Sequence, residues 1–125
     1  MDIRKKIEQP EGRKLEFKRQ FPSKADLLKT IIAFSNGAGG ELIIGISDKP
    51  REIIGLDDPQ EVEEKIINMV YDSIYPTLAP YISIINWGGK KVLNIQVLTG
   101  TNPPYFLKSK GLENGVFIRI GSTNR

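Results

Sequence analysis

Residues 27–48 read Leu27-Leu-Lys-Thr-Ile-Ile-Ala-Phe-Ser-Asn36-Gly-Ala-Gly-Gly40-Glu-Leu-Ile-Ile-Gly45-Ile-Ser-Asp48. Leu27, Ile31 and Phe34, with Leu28 and Ile32 beside them, recur at helical spacing and predict a helix with a broad apolar stripe. Asn36 followed by Gly37 offers that helix a stop, because either residue can take the left-handed conformation that closes a last turn. The apolar run over residues 42–46 predicts a strand buried on both faces, and Asp48 emerges just past it. Gly39 and Gly40 let the backbone approach a neighbour closely. A helix that passes through a glycine turn into a core strand is therefore the centre of the fold, and the charged residues lie around it.

Upstream, Pro22 breaks the chain, and Ser23 with Asp26 three residues later resembles a capping box that opens the helix. Lys14-Leu-Glu16-Phe-Lys18 alternates polar and apolar residues, which predicts a strand with Leu15 and Phe17 inward and Glu16 and Lys18 on the opposite face. Ile3 and Ile7 sit at helical spacing in a short lead-in that Pro10 ends. Downstream, Lys49-Pro50-Arg51 reads as a hairpin connection into a short strand over 52–55. Asp58, Pro59 and Glu61 mark a second helix start, with a capping acid and a proline at the first helical position. Its apolar positions, Val62, Ile66, Met69, Val70 and Ile74, run to the break at Pro76. Strand-like runs over 82–85 and 92–98 flank Trp87-Gly-Gly-Lys90, a hairpin turn. A short edge strand over 105–107 follows Pro103-Pro104. Val116, Ile118 and Ile120 then alternate with Phe117 and Arg119 in a last strand, with Arg119 expected to be exposed. The order predicts an α+β fold, a mixed β-sheet with two packed helices, in one domain spanning 1–125. The polar ending at Arg125 reads as the close of a domain from a longer protein.

With 125 residues and 39% hydrophobic content, one core can form without disulfides. Cysteine and histidine are both absent, which excludes thiolate nucleophiles, imidazole bases and the usual zinc sites. Chemistry must rest on carboxylates, lysines, hydroxyls or an oxygen-held metal. No membrane-spanning run or signal sequence is visible, and a cytoplasmic location is expected. The net charge is +3, but bases gather in residues 1–30 and beyond Asn86, while acids gather between Asp48 and Asp72. If the basic ends fold together they make a phosphate-attracting surface; otherwise they are solvated charges.

The Gly-Ala-Gly-Gly turn follows a helix and precedes a strand, the reverse of a nucleotide-binding loop, so it reads as a structural turn before a phosphate contact. Glu11, Glu16 and Asp48 are the carboxylates able to converge on a divalent ion, with Lys18 placed to meet a scissile phosphate; surface ion pairs with neighbouring bases are the competing reading. Trp87 beside Lys90 and Lys91 can stack on a base, or tuck under the sheet.

These pieces together resemble the Schlafen AlbA-type domain, a predicted DNA-binding domain sometimes described as a divergent AAA-type ATPase region. The matching segments are Glu11-Gly-Arg-Lys-Leu-Glu16-Phe-Lys18, the run from Ile32 to Asp48, Ile53-Ile-Gly55, Pro104-Tyr105, and Val116-Phe-Ile-Arg119-Ile-Gly121-Ser122. The resemblance implies an Alba-like, Schlafen-core-like sheet. It also implies nucleic-acid binding, DNA or structured RNA, as part of a transcriptional regulator with a following winged-helix domain. Arg13, Lys14, Lys18, Arg19, Trp87, Lys90, Lys91 and Arg119 are the expected contacts. In vertebrate relatives a related core is a metal-dependent endoribonuclease, which implies Glu11, Glu16 and Asp48 as ligands of magnesium or manganese, with a homodimer supplying a second lobe. No cofactor is otherwise expected.

Overall fold

The structure is a computed structural model and describes residues 3–125. A four-stranded sheet runs β1-β2-β7-β6, from β1 (Leu15–Lys18) and β2 (Gly40–Ile44) to the hairpin of β6 (Tyr81–Trp87) and β7 (Lys90–Val97). β1 and β2 are parallel and the other pairings antiparallel, so the sheet is mixed as expected. One face is covered by α2 (Lys24–Ser35) and α3 (Pro59–Ser73), which bury Leu27, Ile31, Phe34, Ile66 and Val70 against Leu42, Ile44, Leu93 and Ile95. Each such aliphatic or aromatic side chain contributes about 1.5–3 kcal/mol. On the other face α1 (Ile3–Ile7) lays Ile3 and Ile7 over Leu15, Phe17, Ile43 and Val92. The short lead-in is thus a helix in its own right, and with the single turn α4 (Gly111–Asn114) the helices exceed the two expected. None of the described helices is long and apolar enough to cross a membrane.

Both predicted helix starts are present: Asp26 N–H donates to Ser23 Oγ at 3.2 Å, and Glu61 N–H to Asp58 Oδ1 at 3.1 Å. The end of α2 differs from expectation. Asn36 stays right-handed, and the left-handed residue is Gly39 at φ 78°, whose N–H donates to Phe34 O. A Cβ on Gly40 would lie 2.7 Å from the Phe34 ring, so this turn is glycine-rich because helix and strand are pressed together. The predicted continuous strand breaks at Gly45 into β2 and β3 (Ile46–Ser47), because Gly45 donates to Lys18 O and accepts from Ile54 and Gly55. β3 pairs with β4 (Glu52–Ile53) as a hairpin that carries Asp48.

The C-terminal segment departs most from the sequence reading. β5 (Ile74–Tyr75) and β8 (Phe106–Leu107) form a separate small pair. The expected last strand shrinks to β9 (Arg119–Ile120), which turns back onto β10 (Thr123–Asn124) and does not join the main sheet. Its polarity is also inverted. Ile118 and Ile120 are exposed, while Arg119 retains only 9% of its surface.

Candidate functional site

β1 is an edge strand of the main sheet, and its alternation divides its side chains as predicted. Leu15 and Phe17 enter the core beneath α1, whereas Glu16 and Lys18 face the α2 side. Glu16 is buried there by Arg119, which donates from Nη2 to Glu16 Oε1 at 2.6 Å. The same guanidinium donates to the carbonyls of Gly12 and Leu15 and to Asn124 Oδ1, and lies 5.2 Å from the Phe34 ring centre. The expectation of an exposed Arg119 is therefore corrected: a cation between two isoleucines is drawn inward by Glu16 and by the Gly12 and Leu15 carbonyls. Around this pair lies a cavity of ≈ 320 Å³ lined by Lys18, Asp26, Lys29, Ser122, Thr123 and Asn124 among others. Lys18 reaches Asp26 at 3.0 Å and Glu16 at 3.4 Å. Burial weakens the charged form of Lys18, but the two carboxylates outweigh it and raise its pKa, so it stays an ammonium.

Glu11 accepts a hydrogen bond from Phe17 N–H at 2.9 Å. Burial raises its pKa first; the Phe17 amide opposes that, and Glu16 and Asp48 add to it. Glu11 thus lies close enough to Glu16 and to Asp48 for each to disfavour its charged form. Among the described residues, however, no three acids are arranged to hold a metal. Glu16 is held by Arg119 and Lys18, and Asp48 by Arg51 Nη2 at 3.1 Å. Arg51, which the sequence presented as a turn residue, also donates to Ile7 O and Gln9 O and stacks 4.0 Å from the Phe17 ring centre. It fastens α1 to the β3–β4 hairpin. In this arrangement the acid set does not fit a metal centre.

A raised folded-state pKa means that folding favours the protonated form, so Glu11 costs stability once pH exceeds the ordinary carboxylate range. Glu11→Gln keeps an acceptor for Phe17 N–H and removes the repulsion. The variant is expected to be at least as stable as the parent at pH 7, with its advantage vanishing in acid, where Glu11 is itself protonated. Thermal denaturation across pH 3–8 measures this; an advantage that grows on acidification would contradict it. On the other side of β2, burial raises the Glu41 pKa, but Lys6 at 2.5 Å and Asn94 at 2.9 Å outweigh it and set the carboxyl below its usual range. Its contribution has the opposite sign and is lost as pH falls.

The predicted nucleic-acid contacts are divided between two ends of the sheet. Register places Lys18 level with Ile44 and Leu93, toward the end that carries Lys90 and Lys91, with Arg19 just beyond it. Arg13 and Lys14 lie at the other end, exposed and outside any ion pair among the described residues. Trp87 is half-buried, with the Arg4 guanidinium 4.6 Å from its ring centre, so one face is already covered. Sequence reasoning missed Lys29, Ser122, Thr123 and Asn124. Lys29 projects from α2, and the other three carry no spacing signal, because the β9–β10 hairpin folding back onto α2 brings them to the cavity; Asn124 Nδ2 donates to Thr30 Oγ1 at 2.9 Å.

A mixed sheet covered by helices, with a buried carboxylate–guanidinium pair under an amine- and hydroxyl-lined edge, defines a small α+β domain of the Alba-like class. The chain belongs to the Schlafen AlbA_2 family, which matches residues 11–125. It is similar to the solution structure of the N-terminal domain of a RecG-related protein from Nitrosomonas europaea, at 27% identity and TM-score 0.75, covering 97% of this chain and 90% of that one. A crystal structure of a Corynebacterium diphtheriae protein shares the fold at 22% identity and TM-score 0.64, over 90% of this chain and 22% of that one. A Ureaplasma parvum protein described as ATP-binding is 38% identical over 82 residues, 62% of this chain. The chain spans only 21% of that relative's length.

Proposed function

We propose that this domain binds nucleic acid, DNA in the first place, as a module of a transcriptional regulator. The observation that carries the reading is the open cavity on the β1 edge, where Lys18, Lys29, Ser122, Thr123 and Asn124 surround the Glu16–Arg119 pair, with Asp26 paired to Lys18 beside them. The lysine ammonium groups and the Ser122 hydroxyl suit phosphate oxygens, which fix a duplex without reading its sequence; the Thr123 hydroxyl and Asn124 amide already donate to Ile120 O and Thr30 Oγ1 and shape the rim. The similarity to the N-terminal domain of a protein related by name to the DNA helicase RecG supports the same class of partner. ATP binding, the description of the Ureaplasma relative, is not carried over to this domain. The Gly37–Gly40 turn leads from a helix into a strand, and its Gly39 amide is committed to Phe34 O.

The alternative is an endoribonuclease of the Schlafen type, which the convergence of Glu11, Glu16 and Asp48 favours and their engagement by arginines and Lys18 opposes. One preparation separates the two. The protein is incubated with labelled duplex DNA and with structured RNA, with and without manganese, beside Glu16→Gln. Binding without strand scission is expected. Manganese-dependent cleavage that disappears in Glu16→Gln would overturn this reading in favour of the nuclease.

A further inference from the structure

β6 forms the edge of the sheet opposite β1, and among the described residues nothing donates to or accepts from its outer side. It is seven residues long, Tyr81-Ile-Ser-Ile-Ile-Asn-Trp87, with no charge and no proline, and its register against β7 runs without a bulge. Charge, proline, bulges and short length are the devices that protect exposed edges, and β6 has none of them. The Gly88–Gly89 turn closes with Trp87 facing Lys90, so the alternation of an antiparallel ladder turns the backbone groups of Trp87, Ile85, Ser83 and Tyr81 toward β7. Those of Asn86, Ile84 and Ile82 point outward.

We propose that β6 pairs antiparallel with β6 of a second copy of this chain, about a two-fold axis at Ile84. The strand is self-complementary in that register. Ile84 meets its own copy in a hydrogen-bonded pair, and the outward groups of Ile82 meet those of Asn86. Tyr81, which is 65% exposed in the single chain, falls across from the partner's Trp87 on the same face. Aromatic pairs directly opposite across strands are favourable, and no like charges oppose each other along the seven positions. A two-fold contact uses one patch twice, so a single open edge suffices. The result is an eight-stranded sheet with the two β1 cavities at its far edges, roughly 34 Å apart at ~4.8 Å per strand. The dimer seam, which takes in Trp87, and the β1 cavities are therefore separate surfaces.

Sedimentation velocity of the 125-residue chain from 1 to 200 μM, read together with hydrogen exchange of individual amides, tests the pairing. A concentration-dependent dimer is expected, with protection of the Ile82, Ile84 and Asn86 amides rising with dimer fraction. Ser83→Lys places a charge on an exposed position, and Asn86→Pro removes an outward N–H without touching the β7 ladder. Both variants are expected to sediment as monomers with unchanged circular dichroism. A monomer throughout the range, a dimer without protection at those amides, or a dimer that persists in both folded variants would overturn the proposal. None of these outcomes bears on nucleic-acid affinity.

Discussion

Arg119→Ala is expected to destabilise the fold by about 3–5 kcal/mol, the usual cost of removing one partner from a buried ion pair. The side chain is almost wholly enclosed and holds Glu16, two backbone carbonyls and Asn124 at once. Its loss leaves the Glu16 carboxylate with only Lys18, and leaves the carbonyls of Gly12 and Leu15 without this donor. Arg119→Lys should fare little better, since one ammonium cannot span partners arranged for a planar fork. Adding Glu16→Gln to Arg119→Ala should recover part of the loss by discharging the stranded group, whereas Glu16→Gln alone should destabilise. Urea denaturation of the four proteins measures the cycle. Losses in Arg119→Ala below about 1 kcal/mol, the range of exposed pairs, would contradict the account.

Asn36→Ala is expected to cost about 2–4 kcal/mol through hydrogen bonds left unmade in a partly buried junction. Its Nδ2 donates to Tyr105 O at 2.9 Å and Phe117 O at 3.0 Å, and its Oδ1 accepts from Tyr105 N–H at 2.6 Å. One amide therefore ties two segments of the C-terminal third to the end of α2. Asn36→Asp is the sharper probe: it is nearly the same size and keeps the acceptor, but a carboxylate cannot donate to two carbonyls. It should lose at least as much as alanine at pH 7 and regain part of the loss in acid. Hydrogen exchange should quicken around residues 105–107 in both variants. Unchanged exchange there would show that Asn36 is not the fastening.

The physical reasons for what the sequence disclosed are plain at particular residues. Local signals were legible: Ser23 and Asp58 cap their helices, Gly88–Gly89 makes the hairpin, and the alternation of Leu15, Glu16, Phe17 and Lys18 sorts β1 between two faces. Non-local partners were not. Alternation made Arg119 an outward residue, because a period of two carries no information about a carboxylate 103 positions away. Asn36 looked like a terminator for the same reason, since its partners lie 69 and 81 residues on. Of the candidate site, Glu16 and Asp48 each come near Glu11 and Lys18 pairs with Glu16, while Arg119 and Arg51, which hold Glu16 and Asp48, emerged only in the folded chain.

The central claim is that phosphates are held at the β1 edge, and the salt dependence of binding tests it most directly. Fluorescence anisotropy with a labelled duplex, followed from 50 to 200 mM salt, should show affinity falling by about two orders of magnitude for about four neutralised phosphates. Replacing Lys18 and Lys29 by alanine should reduce the slope of log affinity against log salt by about 1 for each lysine. A double variant that binds as tightly as the parent, with the same slope, would contradict the claim.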